Sequence, residues 1–323
     1  MPIIDIARMA AIATGAVVLA ACVSAHQTST DLASTSQAGA DSAAQASLNE
    51  RYVEEIVAAE RAFAAEGYEN GVKSSFLKWS AADAVMLSPG PVNAHEALAG
   101  APDRPADAAG PHLVWWPLYA GAARSGDLGF TTGPYAFDED RRGYYFTVWR
   151  READSAWKWV FDAGVGADAT AAPVQGTPVS VMKQAGRAEA MPSPHGPRPL
   201  EQVIELESAL ADTARSDAAG AYAPYLAADS RFHSARTPPA VSPDTIPEAL
   251  AARPPVIAFA HIGGGASAAG DIVWTYGVGR WAESGAEREG YYARIWRNGA
   301  EGWRIAFDEF IPIRQSASDQ PSE

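Results

Sequence analysis

The chain has 323 residues, of which 47% are hydrophobic and 20% charged, a globular balance with room for two ordinary domains. A formal net charge of −14 argues against nucleic acid as a partner, because that binding needs clustered Lys and Arg, and it offers no attraction to anionic lipid. The single cysteine, Cys22, permits no intramolecular disulfide and no Cys-based metal cluster.

The N-terminus has the layout of a secretory signal. An apolar run at 10–21 follows Arg8 and is too short to span a bilayer. The letters LAAC that end at Cys22 resemble a bacterial lipobox, which implies a signal peptide at 1–21 and acylation of the cysteine. An ordinary signal peptide, with Cys22 incidental, is the alternative. Val23 after the cysteine resembles the sorting signal of Gram-negative lipoproteins that reach the periplasmic face of the outer membrane. The only expected membrane contact is this lipid.

Residues 22–47 are mostly Ser, Ala, Thr, Gln and Gly, and this composition predicts a flexible tether behind the acylated cysteine. An apolar stripe at helical spacing predicts a helix over 48–65, with Gly67 ending it. The elements predicted next are a helix at 70–79, a strand at 84–87, a short helix at 93–98, a loop at 99–111, and strands at 112–119, 128–135, 144–151 and 156–163.

The second half has the same order of elements. A linker at 166–199, with a short ordered piece at 179–182, leads into it, and a disordered tail at 314–323 follows it. Asn298-Gly299 predicts a hairpin turn. The predicted elements are helices at 200–213 and 246–252 and strands at 256–262, 272–281, 291–297 and 303–310.

The two halves are copies of one another. The earlier copy reads GDLGFTTGPYAF, GYYFTVWRR and AWKWVFDAG, and the later copy reads GDIVWTYGVGRW, GYYARIWR and GWRIAFDEF. Gly126 matches Gly270 and Trp149 matches Trp296, so the copies stay in step across the repeat. A duplication of this length indicates two copies of one domain.

Each copy resembles the SnoaL-like, nuclear transport factor 2-like superfamily, because two helices, a short strand and a short helix precede a four-strand meander. The motifs quoted above are similar to its poorly characterised calcium/calmodulin-kinase-association-like branch. The resemblance implies an α+β fold with two tandem cone-shaped domains, at 48–165 and 200–313. Each would be a curved, mainly antiparallel sheet wrapped on a long N-terminal helix. It does not select a function, because the superfamily includes isomerases, cyclases, dehydratases, assembly modules and inert binding domains.

The central strands are apolar on both faces, which is typical of strands that are buried on both faces. Tyr291 and Ile295 point to one side of their strand, while Tyr292 and Trp296 point to the other. One face covers the helix of its own cone. We therefore expect the other faces of the two sheets to pack together, which makes the chain an intramolecular pseudo-dimer.

Catalytic candidates are few. His233 and His261 stand in predicted strands of the second copy, and a hydrogen-bonded core or rim histidine is the alternative for each. No HxH or HxxxH pair is present, so neither a metal site nor a cofactor is expected. In the last strand, alternation from Trp303 places Asp308 on the outer side, away from the helix, and the same reasoning applies to Asp162.

Aromatic residues are the candidates for ligand binding. One predicted strand of the first copy carries three of them, and others form the expected wall of the second cone. Packing in the core is the alternative for each of them. These residues are Trp115, Trp116, Tyr119, Tyr276, Trp281 and Tyr292.

Three functions are compatible with these observations. The first is a non-catalytic envelope lipoprotein whose cones hold a small apolar molecule or are filled by their own side chains. The second is an isomerase, cyclase or dehydratase that uses His233 and His261 in the second cone. The third is a protein-interaction module of the envelope. The second requires both imidazoles to converge on one cavity.

Intramolecular pairing of the two copies predicts a monomer in solution. The mature chain without its lipid should elute from size-exclusion chromatography with the mass of one chain by light scattering, because each sheet already has its partner. A stable homodimer built through those sheets would contradict the pairing.

Overall fold

The computed structural model describes residues 17–101, 110–184 and 198–313. The start of the predicted signal peptide, part of the linker and the predicted tail at 314–323 lie outside these residues. The chain divides into two compact units, Met1–Leu48 and Asn49–Glu323, and the second contains both copies of the repeat. In the described part of the chain, no helix combines the length and the apolar character that a membrane crossing requires.

The first helix, α1 (Val17–Asn70), differs from prediction at both ends. The segment predicted as a flexible tether is helical from Val17, and it is rich in alanine and contains no proline to break a helix. Gly67 does not end the helix. A Cβ at Gly67 would lie 2.9 Å from Cη2 of Trp115, so this glycine allows the indole to pack against the helix.

The first copy forms one mixed sheet. The predicted strand at 112–119 is two strands, because Pro117 has no N–H to donate to the ladder. In spatial order the strands run β2, β1, β7, β6, β5, β4, β8, and β3 also pairs with β5. The elements are α2 (Val72–Trp79), β1 (Ser80–Leu87), β2 (Pro91–Asn93), α3 (Ala94–Ala99), β3 (Leu113–Trp115), β4 (Tyr119–Ala122), β5 (Leu128–Phe137), β6 (Asp140–Arg151), β7 (Trp157–Val165) and β8 (Ser180–Val181).

The second copy forms a five-stranded sheet in the order β10, β11, β12, β13, β9. The hairpin turn was predicted at Asn298-Gly299, but Gly299 pairs with Gly302, so the turn lies at 300–301. The left-handed φ of +78° that the turn needs falls on Gly302. The elements are α4 (Pro199–Ala214), a 3₁₀ turn (Gly220–Tyr225), β9 (Leu226–Ser234), α5 (Ile246–Ala251), β10 (Ala258–Ala266), β11 (Ile272–Glu283), β12 (Ala286–Gly299) and β13 (Gly302–Pro312).

A bulge in the last long strand of each copy reverses the direction of its side chains. Ile295 pairs with Phe307 but Trp296 pairs with Ile305, so Ala306 is the extra residue in β13. As a result Ile305 joins the core beneath the helix, and Phe307 points to the other face. The prediction that Asp308 faces outward is therefore wrong, because simple alternation does not continue past a bulge. Val160 is the corresponding extra residue in β7.

Aromatic rings from both sheets form one continuous hydrophobic core. Phe146 of β6 stacks on Phe307 of β13 with ring centroids 4.5 Å apart. The ring centroid of Phe161 on β7 lies 5.5 Å from that of Trp274 and 5.2 Å from that of Tyr276, both on β11. The faces that point away from the helices thus contact one another.

Two loops at the side of this contact exchange equivalent hydrogen bonds. Asp271 accepts from the backbone N–H of Arg124 at 3.0 Å, and Asp127 accepts from that of Ala268 at 2.9 Å. Because these aspartates occupy matching positions in the repeat, the exchange has the reciprocity of a two-fold interface.

Candidate functional site

A buried glutamate joins the helix to the sheet in the second copy. Glu207 of α4 is 3% exposed and accepts hydrogen bonds from several strands. Because its carboxylate accepts from two neighbouring strands, β11 and β12, it fixes the position of the helix over them. The donors are Thr275 Oγ1 at 2.6 Å, Tyr292 OH at 2.8 Å, Trp296 Nε1 at 3.1 Å and Arg294 Nη1 at 3.2 Å.

Arg294 extends this cluster to a second carboxylate. Its Nε donates to Asp308 at 2.8 Å, and its Nη2 donates to the Tyr222 hydroxyl at 2.9 Å. Arg253 lies 2.6 Å from the other oxygen of Asp308 and donates to Tyr222 at 3.0 Å. Two arginines therefore balance two carboxylates inside the second domain, and every one of these side chains is buried.

The first copy repeats the glutamate but not the arginine. Glu60 of α1 is fully buried and accepts from Trp115 Nε1 at 2.6 Å, from Trp149 Nε1 at 3.0 Å and from the Thr131 hydroxyl. The residue that corresponds to Arg294 is Thr147, which donates to Asp162 at 2.8 Å. The described contacts of these two carboxyls include no ion pair.

This difference in counter-charge separates the pKa values of the two glutamates. Burial raises the pKa of Glu60 to about 7, against the hydrogen bonds from Thr131, Trp115 and Trp149. Burial would raise the pKa of Glu207 too, but Arg294 and the hydrogen bonds lower it to about 2. Burial likewise raises the pKa of Asp162 to about 8, and the charge of Glu60 adds to that rise.

The sequence analysis missed both glutamates as site residues. Neither Glu60 nor Glu207 is among the candidate residues that the sequence predicts. The available signal was a glutamate at matching positions in two copies of an otherwise apolar helix face. A charge that recurs there needs a buried partner.

His233 faces the contact between the sheets. Its Nδ1 lies 3.3 Å from Glu309 Oε2, and its ring lies 4.9 Å from the rings of Tyr144 and Phe307. Burial lowers the pKa of His233 to about 3, and Arg231 and Arg253 lower it further. Burial raises the pKa of Glu309 well above its usual range, as do the charges of Asp162 and Asp308, so the two groups form a neutral pair.

His261 lies on the opposite side of the second sheet. Its Nδ1 is 3.4 Å from Oε2 of Glu207, among the side chains beneath α4. Phe232, next to His233, packs on Tyr222 within that domain, so His233 itself must point the other way. The two imidazoles do not converge on one cavity, which is the arrangement that the second hypothesis, an enzyme that uses both histidines, requires.

Three of the predicted ligand-binding aromatics are engaged by the protein itself. Trp115 donates to Glu60 and its ring lies 4.9 Å from Phe63. Tyr292 donates to Glu207, and the guanidinium of Arg294 lies 3.9 Å from its ring centre. Trp116 faces the linker, where its indole N–H donates to the carbonyl of Pro173 at 3.0 Å. These residues complete the core and the linker contact.

The other three aromatics border open space. Tyr119 lines a cleft of about 340 Å³ between the copies, which Tyr144 and His233 also line. Tyr276 lines a groove of about 450 Å³ at the edge of the second sheet. Trp281 lies beside Phe310, with ring centroids 5.6 Å apart, and lines a cavity of about 720 Å³.

The 720 Å³ cavity lies where the long strands of the second sheet end. Trp281 and Phe310 give it aromatic walls, and Pro254 and Ile311 add apolar surface. Arg253, also in the lining, points its guanidinium at Asp308, so the cavity borders the acid–arginine cluster without opening it. Among the described residues, no group of three or more His, Cys, Asp or Glu side chains is arranged to hold a metal ion.

Comparison with known proteins finds likeness in solved structures alone. No protein-family model matches the chain, and no curated protein matches it. An NTF-2 like protein of unknown function from Shewanella oneidensis is similar over 35% of this chain and 98% of its own, at 12% identity and a TM-score of 0.31. A ketosteroid isomerase-like protein from Erwinia carotovora atroseptica matches over 35% and 96%, at 19% identity and a TM-score of 0.30. An ntf2-like protein with a cystatin-like fold from Novosphingobium aromaticivorans is similar over 37% of this chain and 85% of its own, at 18% identity and a TM-score of 0.30. Each of these similarities covers 35 to 37% of this chain.

The raised pKa of Glu60 predicts that stability falls as pH rises. The folded state holds this proton up to about pH 7, whereas the unfolded chain releases it near 4.5, so the free energy of unfolding decreases between these values. This contribution is on the order of 3 kcal/mol. Glu60→Gln should remove it, so that the variant's urea-unfolding free energy changes less between pH 5 and pH 8 than that of the wild type.

Glu207→Gln is the matched control in the other copy. Its lowered pKa means that Glu207 is ionised in both folded and unfolded states throughout this window, so the slope with pH should match the wild type. The variant should instead lose about 3 kcal/mol at every pH, because Arg294 loses a buried partner. If the unfolding free energy of Glu60→Gln changes with pH as much as that of the wild type, the raised pKa assigned to Glu60 is contradicted.

Proposed function

We propose that this protein is a non-catalytic, lipid-anchored binding module of the cell envelope. Its two cone-shaped domains are joined as an intramolecular pseudo-dimer, and a small apolar or aromatic molecule binds at the end of the second domain. The observation that carries the proposal is the contrast between sealed carboxylates inside both domains and an open, aromatic-walled cavity beside one of them.

The burial of Glu60 and Glu207 away from solvent argues against acid–base catalysis inside the cones. Glu60 is 0% exposed and Glu207 is 3% exposed, and each accepts hydrogen bonds from at least three side chains of its own domain. A general base must come within hydrogen-bond reach of a substrate proton. These carboxyls are instead surrounded by the donors that hold each helix on its sheet, which is a structural use of charge.

The 720 Å³ cavity has the size and walls of a small-molecule site. Pockets that bind such ligands are commonly about 300 to 1,000 Å³ and combine apolar walls with a few polar groups. Trp281, which packs on the buried ring of Phe310, provides a surface for a flat apolar molecule. Arg236 and Arg288 also line the cavity and supply polar atoms.

The pseudo-dimer is supported by two kinds of contact. Phe146 and Phe307 stack across the two sheets, and Asp127 and Asp271 exchange hydrogen bonds between matching loops. Packing the sheets in this way leaves the ends of the cones accessible. The lipid on Cys22, expected from the lipobox-like residues, would hold the module at the periplasmic face of the outer membrane.

Binding at the cavity can be measured with a neutral aromatic probe. N-phenyl-1-naphthylamine should bind the purified chain with a saturable rise in fluorescence, and Trp281→Ala should weaken binding about tenfold through the loss of apolar contact. Native mass spectrometry of protein incubated with an envelope extract would then report the natural occupant.

Phe137→Ala is the matched control, because Phe137 corresponds to Trp281 in the first copy and is 40% exposed outside the cavity. The affinity of the Phe137→Ala variant for the probe should equal that of the wild type. Equal losses in both variants, or no loss with Trp281→Ala, would remove the cavity as the binding site.

The lipid anchor makes a separate prediction about Cys22. In a Gram-negative host the wild-type chain should begin at Cys22, carry the added mass of acyl chains and partition into detergent with the membranes. Cys22→Ser should remove the added mass and the membrane partition. A mature chain that begins at another residue without added mass would show an ordinary signal peptide instead.

A further inference from the structure

The second sheet ends in a strand edge that its counterpart in the first sheet does not expose. Within residues 17–101, 110–184 and 198–313, β10 is the last strand of its sheet, and its residues Gly263–Ala266 pair with β11 on one side only. Ile262, just before them, is 45% exposed. Unpaired strand edges present backbone N–H and C=O groups that readily take up another strand.

The equivalent edge of the first sheet is covered by the linker. Tyr119 pairs with Thr132 in the first copy just as Gly263 pairs with Tyr276 in the second, so β4 and this part of β10 are equivalent strands. In the first sheet β8 pairs with β4 in parallel. As a consequence the residues of β4 are all buried, whereas Gly263, Gly264 and Gly265 are partly exposed.

The linker is held on β4 by backbone and side-chain contacts. Ser180 N–H donates to the carbonyl of Leu118 at 2.9 Å, and Met182 N–H donates to that of Ala120 at 2.8 Å. Met182 is 2% exposed and its side chain lies against Gly121. These contacts are those of an added strand with one anchoring side chain.

Residues of the second copy also hold the end of the linker. Arg297 forms a bidentate ion pair with Asp229, at 2.9 and 2.7 Å, and also donates to the carbonyl of Lys183. The guanidinium is therefore both a partner of the aspartate and a clamp on the backbone of the strand.

An equivalent arginine–aspartate pair is present at this edge. Arg150 forms the same bidentate pair with Asp83, with both distances 2.9 Å, and it also donates to Glu152 at 2.8 Å. Beside this pair lies the groove of about 450 Å³ bounded by the edge of β10. The lining comprises Asp83, Val85, Asp127, Leu128, Arg150, Val160, Gly263–Gly265, Ala266, Trp274 and Tyr276.

We propose that the edge of β10 binds an extended segment of a partner protein, which adds to the second sheet as a parallel strand. The register would follow that of the linker, with the peptide N–H groups donating to the carbonyls of Ile262 and Gly264. Main-chain hydrogen bonds supply affinity in such strand addition, and side-chain pockets supply specificity.

The groove selects the sequence of that segment. The position equivalent to Met182 enters a space walled by Val85, Leu128 and the rings of Trp274 and Tyr276, so it takes an unbranched apolar side chain. Arg150 lies where it can donate to the carbonyl of the following residue. The edge itself is glycine, and the rings of Tyr276 and Trp274 lie against Gly263 and Gly265 where side chains would otherwise stand. The partner therefore carries a short extended stretch like residues 178–183, with an apolar side chain followed by a polar one.

A labelled peptide tests this directly. The probe is TPVSVMKQ, which copies residues 177–184, with fluorescein at its N-terminus, added to the full chain carrying Cys22→Ser. Fluorescence polarisation should rise saturably. Replacing the peptide's methionine by aspartate should abolish the rise, because a charge would be buried in the groove. Absence of saturable binding by the original peptide overturns the proposal.

Two measurements identify the site. Arg150→Ala should weaken binding about tenfold, whereas Arg280→Ala, which alters an exposed arginine of β11 that does not line the groove, should not change it. Amide hydrogen exchange should slow at 262–266 when the peptide is present. Slowing at 118–122 instead would mean that the peptide displaces the linker, and unaltered binding in Arg150→Ala would place it elsewhere. Either outcome overturns the proposal.

Discussion

The structure depends on the burial of one carboxylate beneath each long helix. Removing a charge from water costs several kcal/mol unless hydrogen bonds or counter-charges replace the solvent. Each domain must therefore surround its glutamate with donors from several strands, and in doing so it fixes the helix on the sheet. The apolar stripe determines which face of the helix packs on the sheet. The glutamate determines where along the strands the helix lies.

The two copies meet this constraint in different ways. Around Glu60 the donors are the indoles of Trp115 and Trp149 and the hydroxyl of Thr131, all uncharged, and the carboxyl holds its proton to about pH 7. Around Glu207 the cation of Arg294 is added, and the carboxyl stays ionised. The two copies thus share the geometry of the anchor and differ in its chemistry. The second domain can afford a second carboxylate, Asp308, because Arg294 and Arg253 both reach it.

The fold could be predicted from the sequence because its elements recur in both copies. Side-chain directions near local irregularities could not be predicted. Strands and short helices could be placed because aromatic and β-branched runs recur in both copies with turns between them. The direction of Asp308 could not be predicted, because the bulge at Ala306 depends on how β13 pairs with β12 and leaves no mark in composition. The low hydrophobicity of 22–47 predicts a flexible tether, whereas its alanine content favours the helix that the structure contains. The opposed positions of His233 and His261 follow from strand directions that only the paired sheet defines.

The linker strand on β4 has a consequence for any chain made by joining two copies end to end. Two equivalent edges exist, but a tandem polypeptide has only one connecting segment, and that segment can lie on only one of them. The two edges of such a chain therefore cannot have identical neighbours, even if the two copies have identical sequences. Among the described residues, a single linker strand therefore gives β4 a second neighbour, while β10 pairs with β11 alone.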